Sequence, residues 1–233
     1  MQARLHHFSS ALQASLFEDG ADVPLFQQVL DIANQKYHGA FWRYNELKKK
    51  LMGLDDCTSY DLNVPLVQSV DTHYDLDQCF EILDQALAPL GKEYQALLKR
   101  ARTERWIDFY PHQGKRGGAY SWGTYDSNPF VMTNFTEGYD SLSTLAHELG
   151  HSMHSFFSHR ANRPLLADYR IFVAEVASTV NEVLLNQYML QHSDDPKVKA
   201  SLLYNMLEQL VGTLYRQPMF AQFEAWLHQQ LEA

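Results

Sequence analysis

The stretch His147-Glu148-Leu149-Gly150-His151 decides the fold, and its pattern is H-E-x-x-H. Around it, from residue 140 to residue 157, apolar residues recur at helical spacing, which predicts one amphipathic helix. Asp140 or Ser141 can cap the N-terminus of this helix. On such a helix the two histidines lie one turn apart and project from the same face.

Two imidazoles at this separation can bind one zinc ion, which predicts one Zn²⁺ per chain, held by His147 and His151. Glu148 lies between them and can act as the general base that activates a zinc-bound water. The alternative is a helical scaffold in which the five-residue pattern occurs by chance. Such a scaffold would bind no zinc.

A catalytic zinc ion usually has three protein ligands and one open position. Glu175, on the next predicted helix (168–192), is the best third ligand because it lies among apolar residues, where an unpaired carboxylate would be costly to bury. A glutamate on a solvated helix face is the alternative. His154 is a fourth ligand, an outer hydrogen-bonding group or a packed histidine; as a ligand it would close the open position. The metzincin pattern is excluded, because it needs glycine at 154 and histidine at 157.

Four further segments accompany the H-E-x-x-H stretch in consistent order: Tyr60-Asp-Leu-Asn-Val-Pro-Leu66, Lys115-Arg-Gly-Gly-Ala-Tyr-Ser-Trp122, Phe172-Val-Ala-Glu-Val-Ala-Ser-Thr-Val-Asn-Glu182 and Tyr215-Arg-Gln-Pro-Met-Phe-Ala-Gln-Phe-Glu224. On these segments the chain resembles oligoendopeptidase F, within the thimet-oligopeptidase-like zinc metallopeptidases. The resemblance implies a zinc-dependent metalloendopeptidase that hydrolyses oligopeptides, with His147, His151 and Glu175 as ligands and Glu148 as catalytic base.

Three short strands are predicted before the zinc helix, at residues 106–110, 119–125 and 130–135, as a small antiparallel sheet. An extended peptide can pair with a sheet edge, and glycines allow another backbone to approach closely. The resemblance favours substrate contact there over an ordinary glycine hairpin. The predicted contacts are Gly117, Gly118, Ala119 and Tyr120.

Glu182 follows Glu175 by seven residues and returns to the same side of the predicted helix. A carboxylate there can orient a zinc-bound histidine through its second ring nitrogen. Ser178 and Thr179 return to the same side of the helix and are alternatives for this role. Glu182 would then be a carboxylate on the helix surface.

The predicted fold class is mainly α, a zincin-like core of several long helices with one small antiparallel sheet next to the H-E-x-x-H helix. We expect residues 1–233 to form one domain: a helical region (1–105), the sheet (106–135) and the zinc-binding helices (140–233). An irregular segment is predicted at 53–74, where turn-forming residues cluster.

The formal net charge of -9 argues against a nucleic-acid partner. The sequence has no apolar run of 18 residues and no visible signal peptide, so we expect no membrane partner. Two cysteines in a chain of 233 residues suggest a reducing compartment, and we expect a cytoplasmic location.

The resemblance covers the middle of the family's sequence. Family members continue into a segment whose histidine and tyrosines are thought to bind substrate, and we find no matching segment here. The alternative function is therefore a zinc-binding but catalytically incomplete fragment that needs this segment or a partner. Loss of one oxyanion donor alone typically lowers the rate about a hundredfold.

Overall fold

The computed structural model describes residues 2–67 and 73–232, and most of them are helical. Two short π-helical segments, Ile32–Lys36 and Gly212–Arg216, each join two consecutive α-helices. The α-helices are α1 (Gln2–Leu5), α2 (Ala11–Asp19), α3 (Val23–Asp31), α4 (His38–Met52), α5 (Leu76–Ala86), α6 (Lys92–Thr103), α7 (Tyr139–Ala161), α8 (Ile171–His192), α9 (Pro196–Val211) and α10 (Gln217–Glu232).

The chain divides into two compact units. The first takes the described residues of Met1–Val70 and Pro196–Ala233, and the second those of Asp71–Asp195. The predicted zinc-binding region, 140–233, thus contributes α7 and α8 to the second unit and its later helices to the first. The single-domain organisation stays a prediction. Part of the predicted irregular segment, residues 68–72, lies outside the described residues.

In the first unit, α4 carries a buried cation. Lys48 is almost fully buried, and its Nζ lies 2.7 Å from the carbonyl oxygen of Leu62 and 3.3 Å from Glu208 Oε1. The hydroxyl of Tyr204 accepts a third hydrogen bond from it at 3.3 Å. These partners satisfy the buried ammonium, which would otherwise be costly to desolvate. They tie α4 to α9 and to the 3₁₀ turn Asp61–Asn63.

The second unit is built on the packing of α7 against α8, with α5 and α6 beside them. The apolar positions of α7 that were predicted from periodicity point inward: Leu142, Leu145 and Leu149 are fully buried. Each such leucine stabilises the fold by about 1.5 to 3 kcal/mol through removal from water. The core of this unit therefore lies directly behind the helix that carries the two histidines.

The small sheet consists of β1 (Ile107–Asp108), β2 (Tyr120–Trp122) and β3 (Phe130–Met132), in the spatial order β1-β3-β2. β2 and β3 are antiparallel, but β1 and β3 are parallel. The prediction of an antiparallel sheet was therefore wrong for one pair. The three strands alternate in direction along the chain, so β1 and β3 run the same way. Because β3 lies between β1 and β2 in the sheet, it pairs in parallel with β1.

The ends of α7 also differ from the prediction. The helix begins at Tyr139 and ends at Ala161, and its N-cap is Gly138 without a side-chain hydrogen bond. Ser141 does not cap the helix, because its Oγ accepts a hydrogen bond from the backbone N–H of Thr136 at 2.9 Å. This bond ties the start of α7 to the segment that follows β3.

Candidate metal centre

The two histidines of the H-E-x-x-H stretch meet the glutamate of the next helix. His147 Nε2 and His151 Nε2 lie 3.1 Å apart, and Glu175 Oε2 lies 3.4 Å from the first and 3.5 Å from the second. Among the described residues, these three form the one group of histidine, cysteine and acidic side chains close enough to hold a metal ion.

The spacing of the three ligand atoms fits zinc. Zinc binds histidine nitrogen at about 2.0 to 2.1 Å with tetrahedral geometry, which places two ligand atoms roughly 3.3 to 3.4 Å apart. The three observed separations lie within about 0.3 Å of that range. Two nitrogens and one carboxylate oxygen are also the donor set that zinc prefers in catalytic sites with an open position.

The argument that led to Glu175 from sequence was wrong in one respect. Its side chain is 57% exposed rather than buried, and its apolar neighbour Val176 is exposed as well. Burial therefore creates no need for a cation at this carboxylate. The reason to regard Glu175 as a ligand is its position, which follows from the tight packing of α8 on α7.

Gly150 sets the distance between these two helices. A Cβ atom built at this position would lie 2.6 Å from Ser178 Cα and 2.8 Å from the carbonyl oxygen of Ala177, both in the backbone of α8. No side chain fits there without displacing α8. Glycine inside a helix costs about 1 kcal/mol relative to alanine, which predicts a close contact with a neighbouring helix or strand, and α8 is that neighbour.

Glu182 lies behind the histidine pair, on the same face of α8 as Glu175. Its Oε2 lies 3.3 Å from His147 Nδ1, and its side chain is 10% exposed. The hydrogen bond to Glu182 raises the pKa of His147, and the negative charge of Glu182 adds to the effect while burial opposes it. The geometry thus fits the predicted role: the carboxylate holds the ring with Nε2 facing the other ligands.

Glu148 is buried beside the histidines, with 7% of its surface exposed. Burial raises the pKa of its carboxyl group, the charges of Glu175 and Glu182 raise it further, and His147 lowers it. The pKa of His151 is lowered, chiefly by burial. A carboxyl group whose pKa is raised in this way is a stronger base than an ordinary glutamate.

His154 does not join the metal group. Its ring stacks on that of Tyr169 with a centroid separation of 3.7 Å, so it is the packed histidine among the three alternatives. The hydroxyl of Tyr169 is 2.8 Å from Ser155 Oγ, which fixes the segment before α8 against α7. Of the three roles considered for His154, the arrangement supports packing alone.

Two further polar residues of α8 are buried at its contact with α7. Ser178 is fully buried, and its Oγ donates to Glu175 Oε2 at 2.8 Å, which orients the carboxylate. Asn181 is also buried: its Nδ2 donates to the carbonyl oxygen of Ala146 at 2.9 Å, and its Oδ1 accepts from the hydroxyl of Tyr94. Both lie on the stripe of α8 that faces α7. The helical period predicts Ser178 and Thr179 as alternatives to Glu182, but their hydroxyls donate to Glu175 rather than to a histidine. Asn181 was not predicted.

The predicted substrate contacts lie at the sheet edge. β2 is an edge strand and begins at Tyr120, whereas Gly117, Gly118 and Ala119 form the loop before it. Tyr120 and the two glycines are exposed, and Ala119 is half-buried. Gly118 has φ = +89°, a backbone conformation that favours glycine.

This edge lies beside the metal helix. The hydroxyl of Ser121, in the middle of β2, is 2.8 Å from that of Ser152, which follows His151 directly on α7. A peptide added to the edge would therefore run close to the metal group.

Zinc metallopeptidases use such an arrangement: two histidines on one helix and a glutamate on another hold the metal, and a second glutamate lies between the two histidines. A family model described as "Peptidase family M3" matches residues 1–233, and the chain belongs to that family. The resemblance to oligoendopeptidase F is thereby confirmed.

Curated relatives carry the corresponding names. Oligopeptidase PepF of Bacillus subtilis (strain 168) is 39% identical over 226 residues, which are 97% of this chain and 34% of that protein. Group B oligopeptidase PepB of Streptococcus agalactiae serotype III (strain NEM316) is 40% identical over 228 residues, which are 97% of this chain and 37% of that protein. The chain therefore spans little more than a third of the length of these relatives.

Solved structures share the fold. Oligoendopeptidase-F from Enterococcus faecium matches with a TM-score of 0.65 and 30% identity, over 99% of this chain and 33% of that chain. A crystal structure of a Chlamydophila abortus protein matches with a TM-score of 0.82 and 38% identity, over 99% of this chain and 38% of that chain. The mainly α, zincin-like fold class is confirmed. In the described part of the chain, no helix is both long and apolar enough to span a membrane.

Proposed function

We propose that this chain carries the metal centre of a zinc-dependent metalloendopeptidase that hydrolyses peptide bonds in oligopeptides. The observation that carries the proposal is the convergence of His147, His151 and Glu175, with ligand atoms 3.1 to 3.5 Å apart, beside the buried Glu148. The names of the relatives support the substrate class, because those proteins are called oligopeptidases. A cytoplasmic location stays a prediction.

The residues would hold one zinc ion through two imidazole nitrogens and one carboxylate oxygen. A zinc ion in such a site supplies Lewis-acid chemistry: it polarises a carbonyl oxygen and lowers the pKa of water. Glu182 keeps His147 in the tautomer that presents Nε2, because its carboxylate accepts the proton of Nδ1. Ser178 holds Glu175 Oε2 in place.

Glu148 moves the proton in the proposed reaction. Its carboxylate takes a proton from the attacking water and later delivers it to the nitrogen of the leaving amine. Burial raises the pKa of this group, which makes its carboxylate a stronger base toward the water than an exposed glutamate would be. The peptide is held at the edge strand β2 and by the loop of Gly117, Gly118 and Ala119 before it, through backbone hydrogen bonds that tolerate different side chains.

A second candidate is a zinc-binding chain without a complete catalytic apparatus. The observation behind it is that the chain spans 34% and 37% of the two relatives described above. It shares the metal centre with the first candidate and differs in activity alone. One experiment therefore separates the two.

The experiment measures hydrolysis of internally quenched peptides by the zinc-loaded chain and by Glu148→Gln. Asp140→Asn is the matched control, because it removes one exposed carboxylate from the same helix. Zinc content is measured for all three proteins. We expect one zinc per chain throughout, and hydrolysis by the unmodified chain and by Asp140→Asn but not by Glu148→Gln.

Other outcomes decide against the first candidate. One zinc per chain with no hydrolysis by the unmodified chain would establish the second candidate. Absence of bound zinc in the unmodified chain would refute both and favour a helical scaffold. Equal hydrolysis by the unmodified chain and Glu148→Gln would refute the role of Glu148 as the base.

A further inference from the structure

A cleft of about 240 Å³ lies between the start of α7 and the loop before β2. It is smaller than the roughly 300 to 1,000 Å³ of pockets that enclose a whole small-molecule ligand, so it suits one part of a larger ligand. Its lining residues are Gly118, Ala119, Thr133, Asn134, Phe135, Ser141 and Thr144.

The cleft adjoins the place where the proposed reaction occurs. Thr144 precedes His147 by three residues and Glu148 by four, so its side chain neighbours theirs on α7 with Cβ atoms about 5 to 6 Å apart. The opposite wall contains Gly118 and Ala119, which lead directly into the edge strand. A peptide on that edge would therefore present a side chain near the scissile bond to this cleft.

The lining of the cleft is uncharged. Its amide donor is already used, because Asn134 Nδ2 donates to the carbonyl oxygens of Arg116 and Gly118, each at 2.9 Å. The hydroxyl of Ser141 accepts from the backbone of Thr136. A charged substrate side chain would lose hydration in the cleft without gaining an opposite charge among the lining residues, which is unfavourable.

We propose that this cleft binds an uncharged side chain of the peptide next to the scissile bond, and that Thr144 determines this specificity. The inference rests on the proposed peptidase function and adds the kind of residue that the substrate carries there. Thr144 is half-buried and lies on α7 in the lining of the cleft, where a new charge would face the bound side chain.

The test compares Thr144→Glu with the unmodified chain on quenched peptides that carry lysine or glutamine at one position at a time around the scissile bond. The readout is the ratio of kcat/KM for the lysine peptide to that for the glutamine peptide, so that a general change in activity cancels. Ser143→Glu is the control, because it adds the same charge one residue away on the same helix, at a half-buried position outside the lining.

We expect the unmodified chain to favour glutamine, and Thr144→Glu to raise the ratio at one position by about tenfold or more, as a close charge pair does. Ser143→Glu should change it by at most a few-fold. An unchanged ratio in Thr144→Glu, or an equal change in Ser143→Glu, would overturn the inference.

A chain that does not hydrolyse peptides would refute the peptidase proposal separately. In that case the same peptides are tested as competitors of a fluorescent peptide on the zinc-loaded Glu148→Gln protein, with and without Thr144→Glu. A shift of binding preference from glutamine toward lysine at one position would support the cleft as a side-chain site. No shift, or no binding, would overturn it.

Discussion

Replacement of Gly150 by alanine should weaken both the fold and the metal centre. The added Cβ would lie 2.6 Å from Ser178 Cα, an atom of the α8 backbone that cannot rotate away. To restore an ordinary contact of 3.4 Å, α8 must move by about 0.8 Å, an overpacking that costs about 1 to 3 kcal/mol. Alanine recovers about 1 kcal/mol of helix propensity. Since the contact is with backbone, we expect the upper part of the cost and a net loss of about 2 kcal/mol.

The same movement should weaken zinc binding, because it carries Glu175 away from the two histidines. Metal–ligand distances tolerate about 0.2 Å, less than the displacement that Gly150→Ala requires. The affinity for zinc should fall about 10- to 100-fold, the range seen when the support of a ligand is removed. The midpoint of thermal unfolding should fall by roughly 4 to 8 °C.

The assays are thermal unfolding of the metal-free protein and zinc affinity by competition with a chelator. Gly39→Ala on α4 is the matched control, because a Cβ there lies 3.7 Å from Arg43 Nη1, an ordinary contact with a flexible side chain. The control should keep its zinc affinity and its stability or gain a little. The reasoning would be refuted if Gly150→Ala were as stable as Gly39→Ala and bound zinc with unchanged affinity.

Three further predictions follow from the site and its surroundings. Glu182→Gln should lower the pKa of His147 and weaken zinc affinity about 10- to 100-fold, as measured by chelator competition; an unchanged affinity would contradict the role of this carboxylate. Burial raises the pKa of the Cys79 thiol to about 12, so at pH 8 a thiol reagent should label the half-buried Cys57 quickly and Cys79 only after unfolding; equal rates would contradict this. Zinc at a thousandfold excess over its dissociation constant should stabilise the fold by about 4 kcal/mol, and a chelator should reverse this; equal unfolding midpoints with and without zinc would refute a metal centre in the folded state.

The residues with a strict spacing could be predicted from the sequence. His147 and His151 are four apart on a periodic helix, and no tertiary information is needed to place them on one face. The sequence also predicts Asp75 as the N-cap of a helix, and in the structure its side chain accepts a hydrogen bond from the backbone N–H of Gln78 at the start of α5. These features depend on local geometry alone.

The remaining differences arise where tertiary contacts or local hydrogen bonds compete with periodicity. Apolar residues at helical spacing predict one helix over residues 2–17, but the side chain of Ser10 accepts a hydrogen bond from the backbone N–H of Gln13 and starts a separate helix at Ala11. The order of the strands in the sheet depends on which strand lies at the centre, and the sequence pattern of each strand does not predict this. The exposure of Glu175 depends on how α8 is covered, which its apolar flanks do not reveal.

The metal centre is therefore a property of one helix–helix contact. Glu175, Ser178 and Glu182 follow one another at intervals of three and four residues, so the ligand, its hydrogen-bond donor and the carboxylate behind His147 occupy one stripe of α8. That stripe meets α7 where Gly150 lets the backbones approach. Because the same contact positions every ligand and buries Glu148, a change that separates the helices should affect metal affinity and stability together. A change at the edge strand should instead affect the choice of peptide alone.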